Sequence, residues 1–348
     1  MRAKVLVTGG AGFIGSRIVE ALVASGTTVV VLDLLPPVRR VPGVRYAIGD
    51  VRDLATLRAA VEGVDGVFHL AAAHHDSNIA RQTYFDVNQT GTENLCEAMS
   101  AAGVASICFF STCAVYGNTP EPHTESSAVA PEGPYGQSKL AAESALTRWA
   151  ALSPERRLLV MRPPAVFGPG NYANMFSLID QIARRRYAQV GSGSNCKSLA
   201  YVENLVAATL ALWRSGTSGT FNYVDKPDLT SAAIAACIRR ALGRSQMRIS
   251  IPLGAALVAV APIEMASRLL GRDPRISRAR IRKFAYDRTV FDADKVRKAG
   301  FTPAITLEEG IARMVEWYLA EGAALGATAR IPPSNTVPGV RYLEAEAR

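Results

Sequence analysis

The chain has 348 residues, enough for one or two domains with a sizeable core, and its 49% hydrophobic and 20% charged composition excludes a disordered or fibrous protein. Its 39 Lys+Arg against 30 Asp+Glu give a formal charge of +9. The basic residues are scattered, with brief clusters at Arg184-Arg185-Arg186 and within 278–283; lacking aromatic interleaving, they suit an anionic small molecule and argue against nucleic acid as a partner.

The stretch Val5-Leu-Val-Thr-Gly-Gly-Ala-Gly-Phe-Ile-Gly15 predicts a buried strand over 4–8, a turn through Gly9, Gly12 and Gly15, and an amphipathic helix over 13–25. Glycine allows the tight turn and lets the backbone approach phosphate oxygens that a β-carbon would block. The free N–H groups and positive dipole end of the helix then face the anion. A second strand over 28–32 ends at Asp33, where a carboxylate accepts both hydroxyls of an adenosine ribose and repels a 2′-phosphate. The pattern is a dinucleotide seat that favours NAD over NADP, although Arg39 and Arg40 lie close enough in sequence to keep a 2′-phosphate open.

Strand-like and helix-like segments then alternate: strand 44–48, helix 54–61, strand 66–70, a long helix near 85–102 and strand 106–111. A Pro/Glu/Ser-rich loop after Pro120, a helix over 135–151 and a strand over 158–162 complete the first half. Such alternation predicts an α/β fold, a Rossmann-type doubly wound parallel sheet covered on both faces, over 1–167. From 168 to 320 the order loosens into helix 175–185, short strands near 189–191 and 199–202, helix 203–213, strand 220–224 and helix 230–242. This is the pattern of a smaller mixed C-terminal substrate domain with interleaved segments. The apolar stretch 251–270 is interrupted by Pro252, Pro262, Glu264 and Arg268, which predicts two short core or interface helices, with peripheral membrane contact as the alternative and no integral insertion. Residues 321–348 are Ala/Gly/Pro-rich without an apolar period and are expected to form a poorly ordered tail. Five scattered cysteines (Cys96, Cys108, Cys113, Cys196, Cys237) and a start directly on a strand predict a reducing, cytoplasmic setting.

Candidate chemistry sits at three places. The strand ending at Ser111 delivers Thr112, and Tyr135 and Lys139 stand four apart on one helix face. An ammonium beside a tyrosine favours the phenolate, and the threonine hydroxyl can hold the substrate oxygen whose proton moves. His74 and His75 follow the fourth strand, where substrate contact and an ordinary loop role both remain open; two adjacent histidines without further ligands do not make a metal site.

These pieces occur together with Gly49-Asp-Val-Arg-Asp53, His69-Leu-Ala-Ala72, Val87-Asn88 followed by Gly91-Thr92, Ser111-Thr-Cys-Ala-Val-Tyr-Gly117, and Arg162-Pro-Pro-Ala-Val-Phe-Gly-Pro-Gly170. Later come Phe291-Asp-Ala-Asp-Lys295, Gly300-Phe-Thr-Pro303 and Leu307-Glu-Glu-Gly310. In this order the motifs resemble the extended short-chain dehydrogenase/reductases, over roughly residues 3–318, and most of all the NAD-dependent epimerase/dehydratase group acting on nucleotide sugars. The resemblance implies that Gly9, Gly12, Phe13, Ile14 and Gly15 hold the pyrophosphate and that Asp50 and Val51 flank the adenine. It further implies that Leu70, Ala71 and Ala72 line the cofactor, that Lys139 binds the nicotinamide ribose, and that Thr112, Tyr135 and Lys139 form the catalytic triad. It places Lys197 toward the nucleotide, gives Asn88 a part in the active-site water chain, against which a plain helix-packing role stays open, and leads us to expect a homodimer through the two long helices; Arg282 or Lys283 can add a second positive contact to a diphosphate.

Two departures narrow the chemistry. Cys113 and Ala114 stand where sugar 4,6-dehydratases carry an Asp-Glu pair, which disfavours water loss, and Ala165 replaces an asparagine found in many uridine diphosphate sugar enzymes. The expected activity is NAD-dependent inversion of carbon 4 of a nucleotide-linked hexose or N-acetylhexosamine. The alternative is a net reductase or dehydrogenase of a 4-keto nucleotide sugar or a hydroxysteroid-like substrate.

Overall fold

The computed structural model describes residues 3–74, 80–117, 122–245, 250–269 and 289–324. Its main sheet has seven strands, β1 (Lys4–Thr8), β2 (Thr28–Asp33), β3 (Arg45–Ile48), β4 (Gly66–His69), β5 (Ser106–Phe110), β6 (Arg157–Arg162) and β9 (Gly219–Asn222), in the order β3-β2-β1-β4-β5-β6-β9. Every pair is parallel, with Leu6 opposite Val30 on one side and Val67 on the other. The central strands are continuous apolar runs because helices cover both faces. Alternation along β1 divides the packing. Leu6 joins a core with Leu57, Leu95 and Leu146 from α2 (Leu54–Val61), α4 (Gly91–Ala102) and α5 (Pro134–Ala151). Val5 and Val7 join another with Ile18 and Leu22 of α1 (Phe13–Ala24), Leu205 of α7 (Val202–Arg214) and Val296 of α10 (Asp294–Lys298). Strand order reverses on the two sides of β1, so a crevice opens at the C-terminal ends of β1 and β4, where sheets of this kind bind ligands.

A second sheet, in the order β10-β8-β7, is formed by β7 (Ala165–Phe167), β8 (Cys196–Tyr201) and β10 (Asp225–Thr230). Phe167, Ile179, Tyr201, Ile238 and Met314 build its core with α6 (Asn174–Ala183), α8 (Ser231–Ala241) and α11 (Leu307–Trp317).

Several elements differ from the sequence-based expectation. The long helix starts earlier, as α3 (Arg81–Phe85), and passes through one π turn, Asp86–Thr90, before α4. The helix over 175–185 stops at Ala183, and Arg185 takes a left-handed φ of 59° just beyond it. The strand expected near 189–191 is a single bridge between Val190 and Ile251. Strands β7 and β10 were not anticipated, and β9 returns to the first sheet although it follows the expected boundary. The two short helices expected in 251–270 are one, α9 (Leu253–Leu269), with Pro262 inside it. Proline removes one hydrogen bond to the carbonyl four residues back, here that of the solvent-facing Val258, so water can take the place of the lost donor. Among the described residues no helix is long and apolar enough to cross a membrane. Of the tail expected over 321–348, residues 321–324 are helical and continue from Trp317, while the rest, together with Arg282, Lys283 and His75, lies outside the described residues.

Candidate active site

The glycine turn closes on itself: Gly12 N–H donates to the Gly9 carbonyl (3.1 Å), and Gly9 sits at φ 69°. A β-carbon on Gly9 would lie 2.6 Å from the Ala71 nitrogen, and one on Gly15 would lie 2.1 Å from the Gly9 oxygen. Helix α1 follows with Gly12 at its N-cap and no side chain capping it, so its first-turn N–H groups are not claimed by a capping side chain. The Asp33 carboxylate accepts from Ala11 N–H (2.9 Å) and Leu35 N–H (3.3 Å), tying the end of β2 to the turn. Burial raises its pKa, and those N–H groups pull the other way. A cradle in which no β-carbon fits, an uncapped helix start and a half-buried carboxylate beside it together fit a dinucleotide. Phe13 and Ile14 pack into the core behind the turn.

Around the rest of the crevice, Asp50 accepts from the Arg52 side chain and backbone, and Val51 is buried against Gly91. Leu70 extends β4 through its N–H to the Thr8 carbonyl (3.0 Å), bringing Leu70 and Ala71 beside Gly9, with Ala72 following in the chain. Beneath them His69 bridges Thr8 (2.6 Å) and Thr92 (3.0 Å), and burial pushes its imidazole down to about 3, so the ring is neutral. Asn88, in the π turn, accepts from Ala73 N–H (2.8 Å) and donates to the Ala73 carbonyl (3.0 Å) and Ser138 Oγ (2.9 Å). These contacts give it a cross-linking role between the β4 loop and α5, the packing alternative left open from the sequence.

Thr112 follows β5 and caps a short 3₁₀ turn, Cys113–Tyr116, accepting from Ala114 N–H (3.1 Å). The first turn of α5 abuts that turn, since a β-carbon on Gly136 would meet the Ala114 carbonyl at 2.7 Å. Tyr135, half-buried and 6.5 Å from the Tyr84 ring, and Lys139, one turn on, are thereby brought beside the strand end that carries Thr112. Lys139 is 1% exposed with its ammonium 4.0 Å from the centre of the Phe109 ring. Burial lowers its pKa to about 7, while the Glu143 carboxylate works to raise it.

Glu143 was not anticipated, nor was the buried network it organises. It accepts from Ser111 Oγ and from Arg162 through Nε (2.9 Å) and Nη2; Arg162 Nη1 donates to the Tyr116 hydroxyl (2.8 Å), which donates to Asn222 (2.8 Å). Burial opposes the Arg162 charge, but hydrogen bonding to Glu143 raises its pKa overall. One signal was available in the sequence: Glu143 is four residues beyond Lys139, which puts a carboxylate on the helix face that must be buried. Cys113 hydrogen-bonds the Arg162 carbonyl (3.1 Å), and burial drives its thiol pKa well up, so it offers no acid or base in place of the missing carboxylate. His74 is exposed next to Ala72, and Lys197 lies in β8 opposite Leu229 and Thr289. Among the described residues no group of three or more His, Cys, Asp or Glu is arranged to hold a metal.

Comparison with known proteins agrees with this geometry. Residues 5–223 match the family model of the NAD dependent epimerase/dehydratase family. The N-acetyl-alpha-D-glucosaminyl-diphospho-ditrans,octacis-undecaprenol 4-epimerase of Escherichia coli O157:H7 is 34% identical over 325 residues, covering 91% of this chain and 96% of that one. The UDP-glucose 4-epimerase of Streptomyces lividans is 42% identical over 160 residues, 43% of this chain and 49% of that protein. The crystal structure of the UDP-glucose 4-epimerase of Thermus thermophilus in complex with NAD superposes with a TM-score of 0.72 at 25% identity, covering 91% of this chain and 99% of that one. With its glycine cradle, its Thr112, Tyr135 and Lys139 and these matches, the chain belongs to the NAD-dependent epimerase/dehydratase family.

Proposed function

We propose that the protein is an NAD-dependent 4-epimerase of a hexose or N-acetylhexosamine carried on a diphosphate. Tyr135 takes the proton of the sugar hydroxyl on carbon 4, the buried Lys139 ammonium favours the phenolate that does so, and Thr112 Oγ orients the reacting oxygen. NAD held by the glycine turn would supply reversible hydride acceptance at carbon 4, a chemistry that consumes no coenzyme overall. The glycine turn and Asp33 hold the dinucleotide, with Asp50 and Val51 toward the adenine and Leu70 to Ala72 along its length. Lys197, Arg282 and His74 belong to the substrate side of the proposal.

The observation that carries this reading is the Thr112 turn seated against the first turn of α5 with Lys139 wholly buried beneath it. The inert Cys113 and the exposed Ala114 support epimerisation over dehydration. The diphosphate carrier is a nucleotide in the simplest version. A relative 34% identical over 91% of this chain acts on a sugar held on undecaprenol diphosphate, which supports a lipid carrier as the second version.

A cytoplasmic setting, supported by the five free cysteines, and a homodimer through α4 and α5 complete the proposal. The outer faces of those helices present Glu97, Ser144 and Arg148, so such a dimer would rest on polar contacts, which sedimentation would reveal. The test of function is to denature the purified protein and look for retained NAD, then to offer the native protein diphosphate-linked sugars. A new epimer with no net change in nicotinamide absorbance is expected, and its loss in Tyr135→Phe with NAD retained. Stoichiometric coenzyme consumption would replace the epimerase with a reductase or dehydrogenase.

A further inference from the structure

Helix α9 has an unusual surface. Its buried stripe is Ala256, Val260 and Glu264, spaced four apart, and its outward face is Gly254, Ala255, Val258, Ala259, Pro262 and Met265. A surface helix ordinarily turns charged and polar side chains to water; here the only carboxylate of the helix points inward, and among the side chains described up to Met265 no polar one lies on the outward face. Val258 is 74% exposed and Met265 64%, and Ile251, on the approach to the helix, adds a third exposed aliphatic side chain.

A basic cluster abuts the start of this face. Ile251 exchanges backbone hydrogen bonds with Gln189 (2.8 Å) and Gly191 (2.9 Å), which sets it a few residues from the Arg184-Arg185-Arg186 run at the end of α6. Asp180 pairs with Arg184, whereas Arg185 and Arg186 are exposed, as is Arg240 in the last turn of α8. Arg244 ties the two helix ends together by donating to the carbonyls of Ile182 and Ala183.

We infer that this face is the docking surface for an anionic lipid bilayer, with α9 lying in the plane of the interface. The inference rests on the lipid-carrier version of the proposed function, which gives the contact its purpose. A bilayer supplies both chemistries: acyl chains for Val258 and Met265, and anionic headgroups for the guanidinium groups beside them. A protein partner fits less well, because interface cores are built around aromatic and other large anchors and this face is made of small and aliphatic residues. At 17 residues with a buried glutamate, the helix lies on a membrane and does not span it. The same domain contains β8 with Lys197, so docking here would hold the substrate half near the surface that carries a lipid-linked sugar.

The test is co-sedimentation of the full chain with vesicles of equal parts phosphatidylcholine and phosphatidylglycerol, and with vesicles of phosphatidylcholine alone. The wild-type protein is expected to pellet with the anionic vesicles and to be released by salt. Val258→Glu with Met265→Glu, and separately Arg185→Gln with Arg186→Gln, are each expected to weaken binding by about tenfold or more. Both double variants should keep their NAD and their activity on a water-soluble diphosphate sugar. Wild-type protein that stays in the supernatant with both vesicles overturns the inference, as does undiminished pelleting of the glutamate variant. A dimer that dissociates in the glutamate variant would assign the face to a second copy, and would overturn it too. Vesicle binding is read without catalysis, so a protein that binds vesicles but epimerises nothing refutes the proposed function and leaves the docking surface standing.

Discussion

Glu143→Gln tests the buried network behind Lys139. The substitution keeps the shape and one acceptor but removes the charge that balances Arg162, and both side chains are only 8% exposed. Leaving one member of a buried pair uncompensated costs about 3–5 kcal/mol, and the retained amide oxygen puts the expectation near the lower end. For 348 residues the unfolding entropy is roughly 0.7 kcal/mol/K, so the midpoint should fall by about 4 °C. A purely structural role would stop there. The Glu143 charge also works against the burial that lowers Lys139 to about 7, so without it the ammonium should lose its proton at lower pH still. Turnover near neutral pH should fall, and the alkaline limb of the pH–rate profile should move to lower pH. Thermal unfolding and a pH series on the purified variant read the two effects separately. An unchanged midpoint together with an unchanged pH profile would refute the reasoning. Replacing both partners by methionine is the control, since removing a buried pair outright is often neutral to stability.

Gly15→Ala should abolish retained dinucleotide, because the new β-carbon would stand 2.1 Å from the Gly9 carbonyl oxygen; absorbance of the deproteinised supernatant checks it. Asn88→Ala should cost about 2–3 kcal/mol, since it strands the Ala73 N–H and carbonyl, and should weaken NAD binding by loosening the loop beside Gly9; urea unfolding and NAD titration measure the two. Lys139 makes a linkage prediction. Its folded pKa of about 7 lies below the ordinary 10.5, so between those values the unfolded chain binds the extra proton. Stability should therefore rise with pH across that window, by at most about 5 kcal/mol, with the penalty fully present below it. Lys139→Met should remove this slope in unfolding measurements at about pH 7 and about pH 9.

What was legible in the sequence was local. The glycine turn, Asp33 and the Tyr135–Lys139 spacing each announce their geometry within a dozen residues, and the structure places them around one crevice. What was not legible depends on partners distant in the chain. Strand β10 reads Asp-Lys-Pro-Asp-Leu-Thr, a composition that argues against a strand, and is held by pairing with β8. Residues 165–167 are too short to show a period and become β7 only beside Leu199 to Tyr201. Pro262 reads as a helix breaker until the exposure of its face is known. The Glu143–Arg162 pair joins residues nineteen apart that meet only because α5 packs over β6.

The return of β9 to the main sheet bears on how this protein is made. A ribosome that has released residues 1–167 has produced six strands of a seven-stranded sheet, and β6 still lacks the neighbour supplied by Gly219–Asn222. Until those residues emerge, the nascent first half carries an open edge next to the strand that bears Arg162. The dinucleotide half is therefore not a module that can be excised at residue 167: a gene fragment ending there should yield an aggregation-prone chain, whereas one extending past Asn222 covers the β6 edge and completes the seven strands.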